Sequence, residues 1–258
     1  MVISASGGVE PSELTALAWT MLALAAVIVG VSKTALPGAA TLAVAIFAGV
    51  LPARNSTATL LVLLIVGDAL ALLLYRRHAD WKTLLRLAPA VVAGLVVGAL
   101  FLAVADDAWV RRTIGVILLA LVALTLWLRR RTGGTPVAGR GGLVVRTGYG
   151  TLGGFTTMVA NAGGPVMSMY FLAARFEVKA FLGTAAWFFA IVNIAKLPFA
   201  VGLGLLTPQT LLIDLVLIPA VLIGGAIGWA IANRIDQALF ERIVFILTVV
   251  AALYLLFV

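Results

Sequence analysis

From Glu13 to Leu51 the chain is apolar enough to lie in a membrane, yet Ser32-Lys33-Thr34 and Pro37-Gly38 fall in the middle of that run. In hydrocarbon every backbone N–H and C=O must be satisfied inside the protein, so an interrupted helix at membrane depth survives only against protein or a wet cavity. A lysine at that depth marks a functional site by default. A second interruption, Ala160-Asn161-Ala162-Gly163-Gly164-Pro165, carries its proline 128 residues beyond Pro37. Paired interruptions in corresponding positions of two halves are the pattern of substrate sites built from discontinuous helices.

The rest of the chain agrees with a membrane setting. Hydrophobic residues make up 63% and charged residues 11%, against about 45–50% and about 25% in soluble domains. The runs Leu14–Val31, Thr57–Leu74, Leu84–Ala105, Ala180–Ala200 and Leu211–Ala232 reach the length of spanning helices. Ile114–Leu128 and Ile243–Val258 are shorter, and each extends through a preceding amphipathic turn. None of these runs alternates apolar and polar residues as barrel strands do, so the chain is read as an all-α integral membrane protein.

The net charge of +8 sits mostly in residues that flank apolar spans, which is topogenic charge and no sign of a nucleic-acid partner. With no cysteine and one histidine, His78, there is no material for disulfides, thiolate chemistry or a metal site, and no cofactor is expected. The N-terminus lacks a basic region followed by a short apolar stretch and a cleavage site, so no removed signal peptide is expected.

The second half repeats the first. Pro89, Gly94 and Gly98 recur as Pro219, Gly224 and Gly228 at an offset of 130, as do Asp106 and Arg112 in Asp236 and Arg242; Asp68 meets Asn193 at 125. We therefore divide the chain into an N-terminal transmembrane repeat, 1–128, a cytoplasmic linker, 129–142, and a C-terminal transmembrane repeat, 143–258. The connector Arg76–Arg86 and the linker are basic, whereas Val201–Pro208, the counterpart of that connector, carries no charge. By the positive-inside rule the first two are cytoplasmic and the third external, so equivalent loops lie on opposite sides and the repeats are inverted. Each repeat then holds a broken or re-entrant helix pair plus three transmembrane helices, and both termini come out external. Whether each break crosses twice or dips as a hairpin leaves the parity unchanged.

Lys33, Lys196 and Asp68 are read as the ionisable residues deep inside apolar runs. The equivalents of Lys33 and Asp68 in the second half are Asn161 and Asn193, so a site drawn from both repeats holds two cations, one carboxylate and two amides. That balance favours an anion. Pro37 and Pro165 suit first helical turns, so the arms that begin around Gly38, Gly163 and Gly164 are expected to offer free N–H groups, as anion-binding helix N-termini do. Ser32, Thr34, Thr156 and Thr157 add hydroxyls. Lys33 and Asp68 either neutralise each other as a helix-positioning pair or serve substrate and proton coupling, with Asp68 as the proton-coupling candidate. Lys196 either joins the site or snorkels to the outer interface; Asn161 is either a direct ligand or a helix cap. No catalytic residue is expected.

Other features have structural readings. Gly94-x3-Gly98 and Gly224-x3-Gly228 are small-residue helix contacts, with homodimerisation through them left open. Asp106, Asp107 and Asp236 precede helices as N-caps. Trp19, Trp81, Trp109 and Trp229 suit interfacial belts, while Trp187-Phe188-Phe189 lies nearer midspan as a possible cavity wall.

Gly30-Val31-Ser32-Lys33-Thr34-Ala35-Leu36-Pro37-Gly38, the span with Gly67-Asp68 and its connector Tyr75-Arg76-Arg77-His78-Ala79-Asp80-Trp81, and the stretch from Gly153 to Pro165 resemble the sulfite exporter family TauE/SafE. The resemblance covers nearly the whole chain. It implies a bacterial inner-membrane carrier of two related halves that exports sulfite, sulfoacetate or a related sulfur-containing anion. With no Walker-type Gly-x4-Gly-Lys-Ser/Thr loop, transport is expected to be gradient-driven, with protons as the coupling ion to test. The rival readings are an uncoupled anion channel, an intramembrane enzyme, for which paired acid and base groups are lacking, and a non-transporting assembly subunit.

Overall fold

The computed structural model describes residues 11–51, 53–104, 142–202 and 206–257, with single positions at 109, 116, 120, 123 and 204. Outside the described residues lie residues 129–141 of the linker, most of the span Ile114–Leu128, the expected caps Asp106 and Asp107, Arg112 and residues 1–10, whose external placement was expected. Among the described residues every element is helical: α1 (Ala16–Thr34), α2 (Ala40–Val50), α3 (Ala53–Tyr75), α4 (Trp81–Val104), α5 (Leu143–Ala160), α6 (Gly163–Ala173), α7 (Val178–Gly202), α8 (Pro208–Ala232) and α9 (Gln237–Phe257), with 3-10 turns at Pro11–Glu13, Pro37–Ala39 and Arg76–His78.

Five of these helices are long and apolar enough to cross a membrane: α1, α3 with its 3-10 extension, α4, α7 and α8. They coincide with the five longest apolar runs in the sequence. Their starts follow local chemistry. The Thr15 hydroxyl accepts from the Ala18 amide at 3.2 Å before α1, and Asp80 Oδ1 accepts from the Thr83 amide at 3.0 Å before α4. Thr207 and Thr210 form a reciprocal capping box around Pro208, and Asp236 Oδ1 caps α9 by accepting from the Leu239 amide at 2.7 Å. Pro89, Pro198 and Pro219 lie inside helices, which membrane helices tolerate when neighbours satisfy the freed carbonyls.

Each interrupted element has unequal arms. Helices α1 and α5 have 19 and 18 residues, whereas α2 and α6 have 11 each. At ~1.5 Å per residue the long arms nearly cross a ~30 Å hydrocarbon core and the short ones return about halfway. The first helix does not stop at its lysine, as the sequence suggested. It runs through Ser32-Lys33-Thr34 and ends where the amides of Ala35 and Leu36 both donate to the Val31 carbonyl.

Glycine decides which helices touch. A Cβ on Gly224 would lie 2.1 Å from the Val27 carbonyl oxygen, one on Gly30 2.1 Å from that of Val221, and one on Gly228 2.1 Å from the Thr34 hydroxyl, so α1 and α8 pack backbone to backbone and run parallel. The same contact recurs between α4 and α5, where Gly94 meets the Thr151 carbonyl at 2.1 Å and Gly154 that of Val91 at 2.2 Å. Helices α3 and α7 run antiparallel, with Gly183 against Tyr75 and His78 at one end and Asn193 against Asp68 further along.

Two apolar clusters result, and they do not follow the chain halves. One joins α1, α2 and α3 to α8 through Leu22, Val29, Phe47, Leu63, Leu217 and Val221. The other joins α6, α7 and α9 to α4 through Phe171, Phe181, Phe240, Leu87 and Val91. Helices α4 and α8 have thus changed places, and the small-residue faces of both are used within the chain. Trp187 packs against Trp81 with tilted rings 4.9 Å apart and donates to the Arg76 carbonyl at 3.3 Å, which places it at the connector and away from midspan.

Candidate functional site

The two interruptions meet. Gly164, at the start of α6, lies against Pro37 so closely that a Cβ would be 2.4 Å from the proline's carbonyl oxygen. Around that contact a cavity is lined by Ser32, Lys33, Pro37, Asp68, Thr157, Asn161, Gly164 and Asn193, with Ala40, Leu64, Ala185, Ala186 and Phe189 as apolar walls. Polar groups therefore converge from α1, α3, α5, α6 and α7 on one place, while the walls between them remain apolar, the usual make-up of a small-molecule site.

Lys33 and Asp68 are both buried and form an ion pair of 2.6 Å. Gly67 makes the approach possible, since a Cβ there would lie 2.7 Å from Lys33 Cγ. The second carboxylate oxygen of Asp68 accepts from Asn193 Nδ2 at 2.7 Å, and the Lys33 ammonium stands 4.7 Å from the centre of the Phe189 ring. Phe189 is the wall residue anticipated in the Trp187-Phe188-Phe189 run; its two neighbours face elsewhere.

Lys196 does not snorkel. It is 5% exposed, and its ammonium donates to the Thr157 carbonyl at 2.8 Å and to Asn161 Oδ1. Asn161 has φ 53°, a left-handed conformation that asparagine adopts at helix ends, and its amide donates to the Thr157 carbonyl at 3.1 Å, so its backbone caps α5 while its side chain binds Lys196. Its Nδ2 donates to the Thr57 carbonyl at 3.4 Å, tying the second interruption to α3. Cap and polar contact are one residue's two roles.

Among the described residues the site has two buried ammonium groups and one carboxylate. Lys33 takes the carboxylate, leaving Lys196 with neutral oxygens alone. Asn193 Oδ1 is buried without a partner. The arrangement holds an excess of ammonium groups over carboxylates, with amides beside them.

Of the other sequence candidates, Thr34 turns away: its hydroxyl donates to the carbonyls of Gly30 and Gly225 at 3.0 Å each, and its own carbonyl accepts from the Tyr75 hydroxyl at 2.9 Å. Gly38 sits behind the lining with its carbonyl accepting from Thr41 at 2.6 Å. Gly163 packs on Thr157, where a Cβ would lie 2.7 Å from the threonine Cβ. The Ser32 hydroxyl donates to the Pro37 carbonyl at 3.2 Å, and the Ala39 amide, expected to point into the site, donates back to the Leu36 carbonyl at 2.8 Å. Asp214 was overlooked in the sequence, although it interrupts the apolar run Leu211–Ala232. It is 1% exposed, so Lys33, Lys196 and Asp68 are not the whole set of buried ionisable residues.

A family model described as Sulfite exporter TauE/SafE matches residues 22–255. No curated protein and no solved structure matches the chain.

Proposed function

The chain belongs to the sulfite exporter TauE/SafE family, and from that membership together with the cavity between the two interruptions we propose that it is a secondary transporter exporting a small sulfur-containing anion such as sulfite or sulfoacetate across the bacterial inner membrane by alternating access. The single observation that carries the proposal is the cavity at the contact of Gly164 with Pro37, which Lys33 lines and behind which Lys196 binds Asn161. Its charge excess suits an anion, and its walls come from both halves of the chain.

The anion takes the place of Asp68 beside Lys33, with Asn161, Thr157 and Ser32 supplying hydrogen bonds and Lys196 holding the α5 end in position. A potential that is negative inside pushes an anion outward by about 2.3 kcal/mol per charge per 100 mV, which favours export. Protonation of Asp68 in exchange for the anion would add the pH gradient to that force. An inverted relation of the repeats, with both termini external, is part of this proposal. It is supported by the parallel contacts of α1 with α8 and of α4 with α5, and by the antiparallel contact of α3 with α7. These make the equivalent helices α3 and α7 run in opposite directions.

The test is radiolabelled sulfite uptake into proteoliposomes by wild type, Lys33→Ala and Asp68→Asn, with and without a pH gradient. Saturable wild-type uptake that Lys33→Ala abolishes is expected. Wild type that moves no small sulfur oxyanion refutes the substrate class, and uptake unchanged in Lys33→Ala refutes the site.

A further inference from the structure

Asp214 lies on α8 about two turns beyond Pro208. It is 1% exposed, and neither carboxyl oxygen has a hydrogen-bond partner among the described residues. Its chain neighbours Ile213 and Leu217 belong to the cluster formed with α1, α2 and α3, while Leu211, Leu212, Leu215 and Val216 face outward to lipid. The side chain is therefore turned into protein, far from a helix end that it could cap.

Among the described residues, what surrounds it does not supply a counter-charge. The elements packed on α8 are α1, α3 and the Pro11–Glu13 turn. Their described ionisable side chains are Lys33, Asp68, Tyr75 and Glu13. Arg54 is also on α3, with its side chain outside the described residues. Lys33 and Asp68 hold each other, Tyr75 is bonded to the Thr34 carbonyl, and Glu13 is exposed. The pair stands near the level where Gly225 touches Leu70 and Thr34, eleven residues along α8 from Asp214 and about 16 Å away at ~1.5 Å per residue. Helix α8 returns antiparallel to α7 and hence runs parallel to α3. Eleven residues back from Gly225 and Leu70 bring Asp214 level with Thr59, whose buried hydroxyl also has no partner.

A carboxylate without partner or counter-ion is not tolerated in apolar surroundings, whereas the neutral acid is. We infer that Asp214 is a proton-binding site of the carrier, separate from the cavity between the interruptions and occupied in the conformation described here. The inference rests on the transporter reading above. The proton enters from the external end of α8, adds to the carboxylate, and leaves to the cytoplasmic side as the helix pair α1 and α8 rearranges. An intramembrane acid of this kind, turned inward and unpaired, is material for a proton relay and poor material for stability.

Two measurements test it. In sulfite-loaded proteoliposomes, Asp214→Asn is expected to exchange sulfite with the wild-type half-saturation concentration and to lose at least tenfold of the extra accumulation that a pH gradient drives. Difference infrared spectra of wild type are expected to show a protonated-carboxyl band that Asp214→Asn lacks. Gradient-driven accumulation that survives Asp214→Asn, or a wild type whose spectrum has no such band, overturns the inference. A wild type that exchanges sulfite but ignores the gradient also overturns it while leaving the carrier intact. No sulfite exchange in wild type refutes the carrier instead, and the infrared band still decides the protonation. Should Asp214→Asn fail to fold, a wild-type band assigned by isotope-edited aspartate supports the site and its absence removes it.

Discussion

Asn193 donates to Asp68 at 2.7 Å from 125 positions along the chain, and the proposed duplication makes the two residues equivalents. At these two positions the first half of the chain has the acid and the second half the isosteric amide. The contact therefore joins a carboxylate to a donor where two identical residues would have set two acids against each other, and like charges at that distance cannot both ionise. The amide at this one position makes the paired site electrostatically feasible.

Removing either partner of the Lys33–Asp68 pair strands a buried charge. Lys33→Met and Asp68→Asn are each expected to destabilise the protein by about 3–5 kcal/mol, and the double variant by less than either. Thermal unfolding in detergent measures this cycle. Additive losses in the double variant would show that the two side chains are not coupled.

Lys196 acts on the second interruption through Thr157 and Asn161. Lys196→Met is expected to lower sulfite exchange at least tenfold, with Lys196→Arg recovering a part, because arginine retains donors but not the compact ammonium geometry. Exchange at wild-type rate in Lys196→Met would remove this lysine from the mechanism.

The two roles of Asn161 separate by substitution. Asn161→Gly keeps the left-handed backbone and is expected to unfold at the wild-type temperature, while Asn161→Ala loses about 1–2 kcal/mol to the strained φ. Both lose the side-chain bond to Lys196, so both are expected to transport poorly. Full transport by Asn161→Gly would reduce the residue to a cap.

Close backbone contact at Gly164 leaves no room for a methyl group. Gly164→Ala is expected to cost about 1–3 kcal/mol by overpacking and to abolish exchange, since the Pro37 carbonyl must move. Gly148→Ala is the control: nothing lies within 4 Å of its added methyl, and the change stabilises α5 by about 0.5–1 kcal/mol. Equal behaviour of the two variants in unfolding and exchange assays would contradict the contact between the interruptions.

Local features of the sequence reached far into this structure. Five apolar runs became five helices of spanning length, because burial in lipid depends on hydropathy summed over about twenty neighbouring residues. Asp80 and Asp236 both cap helices, although only Asp236 was expected to. Pro37, Gly163 and Pro165 announced the two interruptions. The offset of 130 between Pro89, Gly94 and Gly98 and their counterparts is likewise written in the sequence, and the proposed duplication rests on it.

What tertiary structure alone decided is the rotation and partnership of each helix. Lys33 and Asp68 were legible as buried charges, but only the packing at Gly67 brings them within 2.6 Å. Thr34 was as good a hydroxyl candidate as Ser32 and lies two residues away, about 200° around the helix at 100° per residue, so it faces α8 while Ser32 faces the cavity. Asp214 was visible in the apolar run, yet whether it faced lipid, a partner or nothing at all depended on α8 having exchanged places with α4. Hydropathy and proline act through the chain's nearest neighbours and are written in the sequence. Facing, pairing and exchange depend on glycine contacts between segments nearly two hundred residues apart, as between Gly30 and Val221, and exist only once the helices have assembled.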